Sequence, residues 1–437
     1  MADHAVSADA AVQAQLDRLW ALSPGADILG LDRITRLLAR LGDPHRALPP
    51  VFHVAGTNGK GSTCAFLRAA LEAAGLRVHA YTSPHLVRFN ERIRIAGRLI
   101  DDATLAALLA EVLDAGGDIG ASFFEVTTAA AFLAFARHPA DACVIEVGLG
   151  GRLDATNVLP APVACGIAAL GLDHQSFLGD TLEQIAAEKA GIAKPGVPLL
   201  TMAYPAGIAQ VIARAAQAAG ATLLPRGAGW HADATAEGVT YTDRHGTLAL
   251  PVPAMPGPHQ RDNLALAAAM LRHQDAVAVP DDAIIAAART ARWPARLQRL
   301  ARGPLTDMLP GAAFWLDGGH NPSAGEAIAA WVAGADAPVA LVLGMLANKD
   351  PAGFLRPFAG HVDALVAVPV PGHEHHAPDA LVALAASLGI ATTVTAEDAV
   401  TAVAAIAGLS PPPATVFFAG SLYLAGTVLA ANDELPA

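Results

Sequence analysis

The sequence predicts an α/β protein of two domains, and three observations carry that prediction. Short β-branched runs alternate with alanine-rich helical patterns along almost the whole chain, the rhythm of parallel sheets joined by right-handed crossovers. One of the first runs, Val51 to Val54, ends in a glycine-rich turn, AGTNGKGS, and a helical pattern follows at once. The rhythm then restarts after Trp293-Pro294-Ala295-Arg296-Leu297-Gln298, and 437 residues exceed one ordinary core. The expected domains are 1–292 and 293–437.

In order, residues 1–25 and Ile28 to Leu41 have helical spacing, and the glycine-lysine loop follows the strand at Val51. Val78 to Tyr81 is a strand leading into the polar stretch TSPHLVRFNERI. A short helix and a longer one from Phe123 to Ala136 precede the buried strand Ala142 to Val147, which carries Glu146 near its end. Val163 to Ala168 is a strand followed by Leu172-Asp173-His174, and Glu183 to Ile192 is a helix containing Lys189. A strand ends at Leu199-Leu200, a helix spans Ile208 to Ala219, and Thr222 to Leu224 is a strand. Val239 to Val252 reads as a hairpin turning at Asp243 to Gly246, and His259 to His273 as a helix. Beyond the junction, strands are expected at Ala313 to Asp317, Val339 to Leu343, Ala364 to Val368, Thr392 to Thr395 and Thr415 to Phe418.

Hydrophobic residues at 53% and charged residues at 16% supply ample core and exclude a disordered chain. A net charge of −12 gives no general attraction to nucleic acid or to an anionic membrane. The three cysteines, Cys64, Cys143 and Cys165, are scattered in apolar contexts, as expected of packing residues in a reducing compartment. The N-terminus lacks the basic and apolar regions of a signal peptide. The uncharged stretch from Ala399 to Asn432 is broken by Pro411, Pro412 and Pro413, which fits a strand, turn and helix rather than a membrane span. The expected setting is the cytoplasm.

The candidate chemistry centres on the loop. Gly56, Gly59 and Gly61 allow turns closed to other residues, so backbone N–H groups can face one concavity. The following helix adds its positive end, and Lys60 adds a full charge for outer phosphates. The spacing departs from G-x-x-x-x-G-K-[ST], because Gly61 takes the hydroxyl position and Ser62 follows it. A carboxylate such as Glu146 at the end of an apolar strand must be paired, protonated or on a metal. His373, Glu374, His375 and His376 lie in a Pro/Gly loop without helical ligand spacing and read as solvated.

The motifs AGTNGKGS, YTSPHLVRFNERI, EVGLGGRLDATN, GLDHQSFLG, EKAGI, RLQ, LDGGHNP and LGMLANKD occur in this order over nearly the whole chain. Together they resemble the folylpolyglutamate synthase/dihydrofolate synthase family of the Mur ligase superfamily. The resemblance implies an N-terminal P-loop ATPase domain with a mostly parallel sheet, a smaller Rossmann-like C-terminal domain, and an active site between them. It implies an ATP-dependent ligase that joins L-glutamate to dihydropteroate and to reduced folates through an acyl phosphate, with Mg2+ as cofactor, acting as a monomer.

By that resemblance Thr57, Asn58, Gly59, Lys60, Gly61, Ser62, Asn263, Arg296, Asp317 and His320 contact ATP. Ser83, Glu146, His174 and, if carbamylated, Lys189 serve magnesium, and Lys60, Lys189 and His174 are the catalytic set. Substrate contacts fall on Asp27, Ile28, Leu29, Gly30, Phe124, Glu125, Leu153, Asp154 and Ala155. Another reading of Lys189 pairs it with Glu188 or with a substrate carboxylate. Ala295 stands where the family commonly has glycine, and Gly319 where it has alanine, which bears on local backbone geometry. The alternatives are a folylpolyglutamate synthase without the first activity, a Mur-type ligase on a nucleotide-sugar peptide, and an ATP-driven switch or transport protein.

Overall fold

The computed structural model describes residues 6–22, 29–335 and 338–436. Its contacts divide the chain into two compact units, Met1–Ala254 with Pro258–Arg292, and Met255–Gly257 with Trp293–Ala437.

The first unit is built on an eight-stranded sheet. Its strands are β1 (Val51–Ala55), β2 (Val78–Tyr81), β3 (Ile93–Ile95), β4 (Arg98–Leu99), β5 (Ala142–Glu146), β6 (Ala164–Ile167), β7 (Pro198–Thr201) and β8 (Thr222–Pro225). Their spatial order is β4-β3-β2-β5-β1-β6-β7-β8. The central strand β1 is buried at every position, as an apolar run covered on both faces must be. It pairs in parallel with β5 and β6. The chain leaves β1 toward β2 and leaves β6 toward β7, in opposite directions across the sheet. Their adjacent carboxyl ends therefore form a switch point, where open α/β sheets bind ligands. Phe52, Val54, Phe66 and Ile167 are among its fully buried side chains.

The sheet is mostly parallel, as expected, with an antiparallel edge. β3 and β4 form that edge, joined by Ala96 and Gly97 with φ of 49° and 86°. Two successive positive φ values are the geometry of a tight hairpin turn, and alanine at the first position hides the signal. The expected hairpin is present as β10 (Gly238–Asp243) and β11 (Gly246–Pro251), but β9 (His231–Thr235) joins it in a separate antiparallel sheet. β9 is mostly exposed and has no apolar alternation to announce it.

The second unit carries β12 (Gln298–Arg299), β13 (Ala313–Leu316), β14 (Val339–Leu343), β15 (Ala364–Ala367), β16 (Thr392–Thr395) and β17 (Thr415–Ala419), ordered β12-β13-β17-β14-β15-β16. All pairings are parallel except β12 with β13. Its core gathers Leu341, Leu343, Phe354, Phe358, Leu365 and Phe417. The uncharged C-terminal stretch resolves into the helix Ala399–Ala407, β17 and the helix Leu422–Ala431. Among the described residues no helix is long and apolar enough to cross a membrane.

Local chemistry sets the helix ends. Ser122 and Glu125 form a capping box on Phe123–Arg137, Thr181 and Gln184 form one on Leu182–Ala190, and Asn321 caps a helix that opens with Pro322. The helix expected from Ile28 spans Asp32–Arg40. Gly30 precedes it, and glycine is a poor helix former.

Candidate active site

The loop after β1 sits at the switch point. Gly56 has φ 152°, and a Cβ there would lie 2.9 Å from the Ala168 Cβ, so both conformation and space call for glycine. Gly59 has φ 84°, and a side chain there would strike the Asn263 amide. Gly61 differs from expectation. The helix Lys60–Ala73 begins one residue after Gly59, so Gly61 is ordinary first-turn backbone.

The loop N–H groups are also divided differently than expected. Thr57 N and Asn58 N both donate to the Ala169 carbonyl, at 2.8 and 3.1 Å, and Thr57 Oγ1 donates to Gly171 O. These bonds tie the loop to the segment after β6. The donors left for an anion belong to the first turn of the helix, where an α-helix has no internal acceptors. In that turn the hydroxyls of Ser62 and Thr63 are buried and have no hydrogen-bond partner. An unpartnered buried hydroxyl is costly and marks a place built for an oxygen-coordinated group. This local chemistry fits a magnesium-bound phosphate.

Two ammonium groups meet beneath the loop. Lys60 Nζ donates to Gly56 O at 3.1 Å and to Thr57 O at 3.3 Å, and Lys189 Nζ donates to the same Gly56 O at 3.0 Å. Lys189 is 4% exposed in the helix Leu182–Ala190. Burial first, and the Lys60 charge second, push its pKa down to about 7, against weaker pulls from Asp173 and Asp154. The expected alternative partner is engaged elsewhere, because Glu188 accepts from Arg152 at 2.8 and 3.0 Å. Gly151 and Gly191 allow the close approach: a Cβ at either would lie within 3 Å of Glu188 O or of Arg152 atoms.

Glu146 ends β5, buried, beside Val54 of β1, and accepts from Ser83 N at 3.3 Å. His174 lies seven residues beyond β6 rather than at a strand end. It sits in left-handed backbone with φ 51°, its Nε2 3.9 Å from Asp173 Oδ1. Among the described residues no three His, Cys, Asp or Glu side chains converge as a metal cage, and that covers His373 to His376. There His373 stacks on Tyr423 at 3.7 Å, and His376 Nε2 lies 2.9 Å from Lys349 O.

The described segments expected to bind substrate lie in the first unit, where the helix Phe123–Arg137 packs against the turn Ala155–Val158 and the helix Asp32–Arg40. Glu125 is buried; its Oε2 accepts from Arg33 Nε at 2.9 Å and Ser122 N at 2.7 Å, while Oε1 has no hydrogen-bond partner. The Phe124 ring lies over Gly148, where a Cβ would fall 2.3 Å from it. Asp154 is buried between Leu153, which is half-buried, and Ala155. Leu29 and Gly30 precede the helix Asp32–Arg40, and Asp27 and Ile28 lie outside the described residues.

In the second unit, Asp317 follows β13 and is buried. Its Oδ2 accepts from Leu297 N at 2.8 Å and its Oδ1 from Gly319 N at 2.7 Å. Arg296 Nη1 donates to Ala295 O, and His320 Nδ1 lies 2.9 Å from Gly318 O. Ala295 adopts φ 54°, a conformation that suits glycine better.

A family model of the Mur ligase, glutamate ligase domain matches residues 296–422. The chain is 39% identical over 349 residues to the dihydrofolate synthase/folylpolyglutamate synthase of Escherichia coli strain K12, covering 79% of this chain and 78% of that one. This chain belongs to the dihydrofolate synthase/folylpolyglutamate synthase family. Solved structures agree. E. coli FolC in complex with DHPP and ADP superposes with TM-score 0.86 at 34% identity, covering 97% of each chain. A bifunctional folylpolyglutamate synthase/dihydrofolate synthase with Mn, AMPPNP and L-glutamate bound gives 0.83 at 32%, covering 96% of this chain and 97% of that one. The dihydrofolate synthase/folylpolyglutamate synthase fold, an α/β Mur ligase fold with a mostly parallel N-terminal sheet and a mixed second sheet, is the class the sequence predicts.

Two residues of this family member escaped the sequence reading. Gln260 is fully buried and its Oε1 accepts from Asn263 Nδ2 at 3.1 Å, orienting the amide that faces Gly59. Its signal was position, one helical turn before Asn263. His53, in the middle of β1, reads in sequence only as a polar interruption of an apolar strand.

Proposed function

We propose that this chain is an ATP-dependent ligase that joins L-glutamate to dihydropteroate and to reduced folates. The observation that carries the reading is the convergence of Lys60 and Lys189 on the Gly56 carbonyl, two amines gathered where a helix N-terminus already favours anions.

The acceptor carboxylate attacks the γ-phosphorus of ATP, and the bond to the bridging oxygen of ADP breaks. The α-amine of glutamate attacks the resulting acyl phosphate. The carbon–oxygen bond breaks, inorganic phosphate leaves, and the amine gives up a proton. Both reactants of the first step are anions, so positioning and charge neutralisation dominate. Lys60 moves from its loop carbonyls to the outer phosphates, and first-turn N–H groups hold the same oxygens. Thr57, Asn58, Gly59, Gly61 and Ser62 line the nucleotide, with Asn263 held against Gly59. In the second unit Arg296, Asp317 and His320 are proposed nucleotide contacts.

Ser83, Glu146 and His174 would hold magnesium, which when bound neutralises phosphate charge and polarises the acyl group. Lys189 joins that set as a carbamate. With a pKa near 7, a large fraction of its amine is neutral at neutral pH. Neutral nitrogen bonds to the carbon of CO2, a proton passes to solvent, and an anion replaces a poorly paired cation. Phe124, Glu125, Leu153, Asp154 and Ala155, with Asp27 to Gly30, form the proposed acceptor contacts. The buried free thiols support a reducing, cytoplasmic setting for this chemistry.

Incubation with ATP, L-glutamate and either dihydropteroate or tetrahydrofolate, read by product mass, tests the assignment. One added glutamyl residue on each acceptor, with stoichiometric ADP, is expected. Extension of tetrahydrofolate without conversion of dihydropteroate leaves the single-activity enzyme, and ADP without any glutamyl product rejects the ligase.

A further inference from the structure

We propose that His53 is a positioning residue for the acceptor site, acting on Asp154 through the hydroxyl of Thr156. The proposal rests on reading Leu153 to Ala155 as an acceptor contact.

His53 is fully buried in β1, and its Nε2 lies 2.8 Å from Thr156 Oγ1. Thr156 Oγ1 lies 2.5 Å from Asp154 Oδ1, and Thr156 N donates to the same oxygen at 3.0 Å. Leu149 N donates to the other oxygen at 2.8 Å. Burial raises the Asp154 pKa, and the N–H and O–H donors from Leu149 and Thr156 oppose that by favouring the carboxylate; with Asp154 ionised, the one proton of the threonine hydroxyl goes to the short contact. Thr156 can then only accept from His53, so the imidazole proton sits on Nε2. The other ring nitrogen, Nδ1, is buried without a hydrogen-bond partner, as that tautomer leaves it. Burial first, and the charge of Lys194 second, push the His53 pKa down to about 3, so the ring stays neutral with a single proton. Lys194 is itself turned to the Asn157 carbonyl at 2.9 Å.

The relay joins two elements that serve different substrates. His53 stands on the strand that delivers the phosphate loop, and Asp154 caps the turn Ala155–Val158. An apolar side chain would pack a central parallel strand as well, so the histidine is explained by what its Nε2–H holds. Each of the three groups fixes the next, and the Asp154 carboxylate cannot rotate without breaking the chain.

The test varies dihydropteroate and ATP separately in steady-state assays of His53→Phe, Thr156→Val, His53→Gln, Thr156→Ser and the double variant of the first two. His53→Phe and Thr156→Val should each raise KM for dihydropteroate about tenfold, the effect of losing one hydrogen bond in a charged chain, with KM for ATP unchanged. His53→Gln, which can return an amide N–H near Nε2, and Thr156→Ser should recover most of it. The double variant should match the single ones, because both break one relay. Equal rises in both KM values, or Phe as good as Gln, would reduce His53 to strand packing and overturn the proposal. Nitrogen-15 NMR of the free enzyme gives a second judgement that needs no turnover: a proton on Nε2 is expected, and a proton on Nδ1 overturns the relay even if His53→Phe fails to fold. Inactive wild-type enzyme with the Nε2 tautomer would count against the ligase assignment and not against the hydrogen-bond chain.

Discussion

Two buried cations in the first unit are built in opposite ways. Arg272 ends the helix His259–Arg272 and is gripped by carboxylates. Its Nε and Nη2 donate to the two oxygens of Asp243 at 2.9 and 3.1 Å, and Nη1 pairs with Asp281. Hydrogen bonds to Asp243 raise its pKa against desolvation. Burial pushes Asp243 up, but the donors Arg272, His245 N–H and Tyr241 outweigh it and leave it lowered. Lys189 has a backbone carbonyl, with another cation beside it, and its pKa falls to about 7. A buried charge matched by hydrogen-bonded opposite charges is a structural clamp. One left with a carbonyl and a like charge is poised for a ligand or a modification.

Breaking the clamp should give the largest effect. Arg272→Met strands Asp243, and a loss of about 3 kcal/mol in urea unfolding is expected, with kcat retained by the folded protein. Lost turnover in a stable Arg272→Met protein would erase the distinction between the two sites.

Lys60→Ala and Lys189→Ala should do the reverse, keeping the unfolding midpoint while lowering kcat by about 100-fold or more, as loss of a charge contact in the transition state does. Acetate should partly restore Lys189→Ala by supplying a carboxylate where the carbamate stood. High-resolution density showing a bare amine in active, bicarbonate-supplied enzyme would replace the carbamate with direct charge contact.

A smaller, pH-dependent effect belongs to His53. Its folded pKa of about 3 lies below the ordinary 6.5, so between those values the unfolded chain holds one more proton. Stability therefore falls as pH drops through that window, by up to about 1.4 kcal/mol per pH unit from this group. Urea midpoints measured across the window should fall less steeply for His53→Phe than for wild type.

The smallest effect is at the junction loop. Ala295→Gly should raise the melting temperature slightly, worth about 1 kcal/mol or less, by relieving positive φ. Gly319→Ala should lower it, because the new methyl would lie 2.8 Å from Ile328 Cδ1 and 2.9 Å from Ala324 Cβ. The two substitutions are expected to have opposite signs.

Much of the fold was legible because its signals are local. The apolar run of β1 and the turn glycines Gly56 and Gly59 each act within a few residues. The misses have local causes too. Ala96 replaces a turn residue at a positive φ, β9 is exposed and lacks alternation, and Gly61 shares a motif with two glycines whose strain it does not share. At the candidate site the loop and its lysine were legible, but the commitment of Thr57 N and Asn58 N to Ala169 was not, because that acceptor arrives from β6.

The sequence by itself determined the α/β class, the phosphate-type loop and the ordered motifs that mark the family. These follow from periodicity and from residue types whose conformational needs are intrinsic. Only the tertiary structure decided pairing: that Lys189 meets Gly56 O across 133 positions, that Glu188 belongs to Arg152 instead, and that His53 Nε2 comes to lie 2.8 Å from the Thr156 hydroxyl. A pKa is set by desolvation and by charges within a few ångströms, and which groups come that close is fixed when distant strands and loops are packed together.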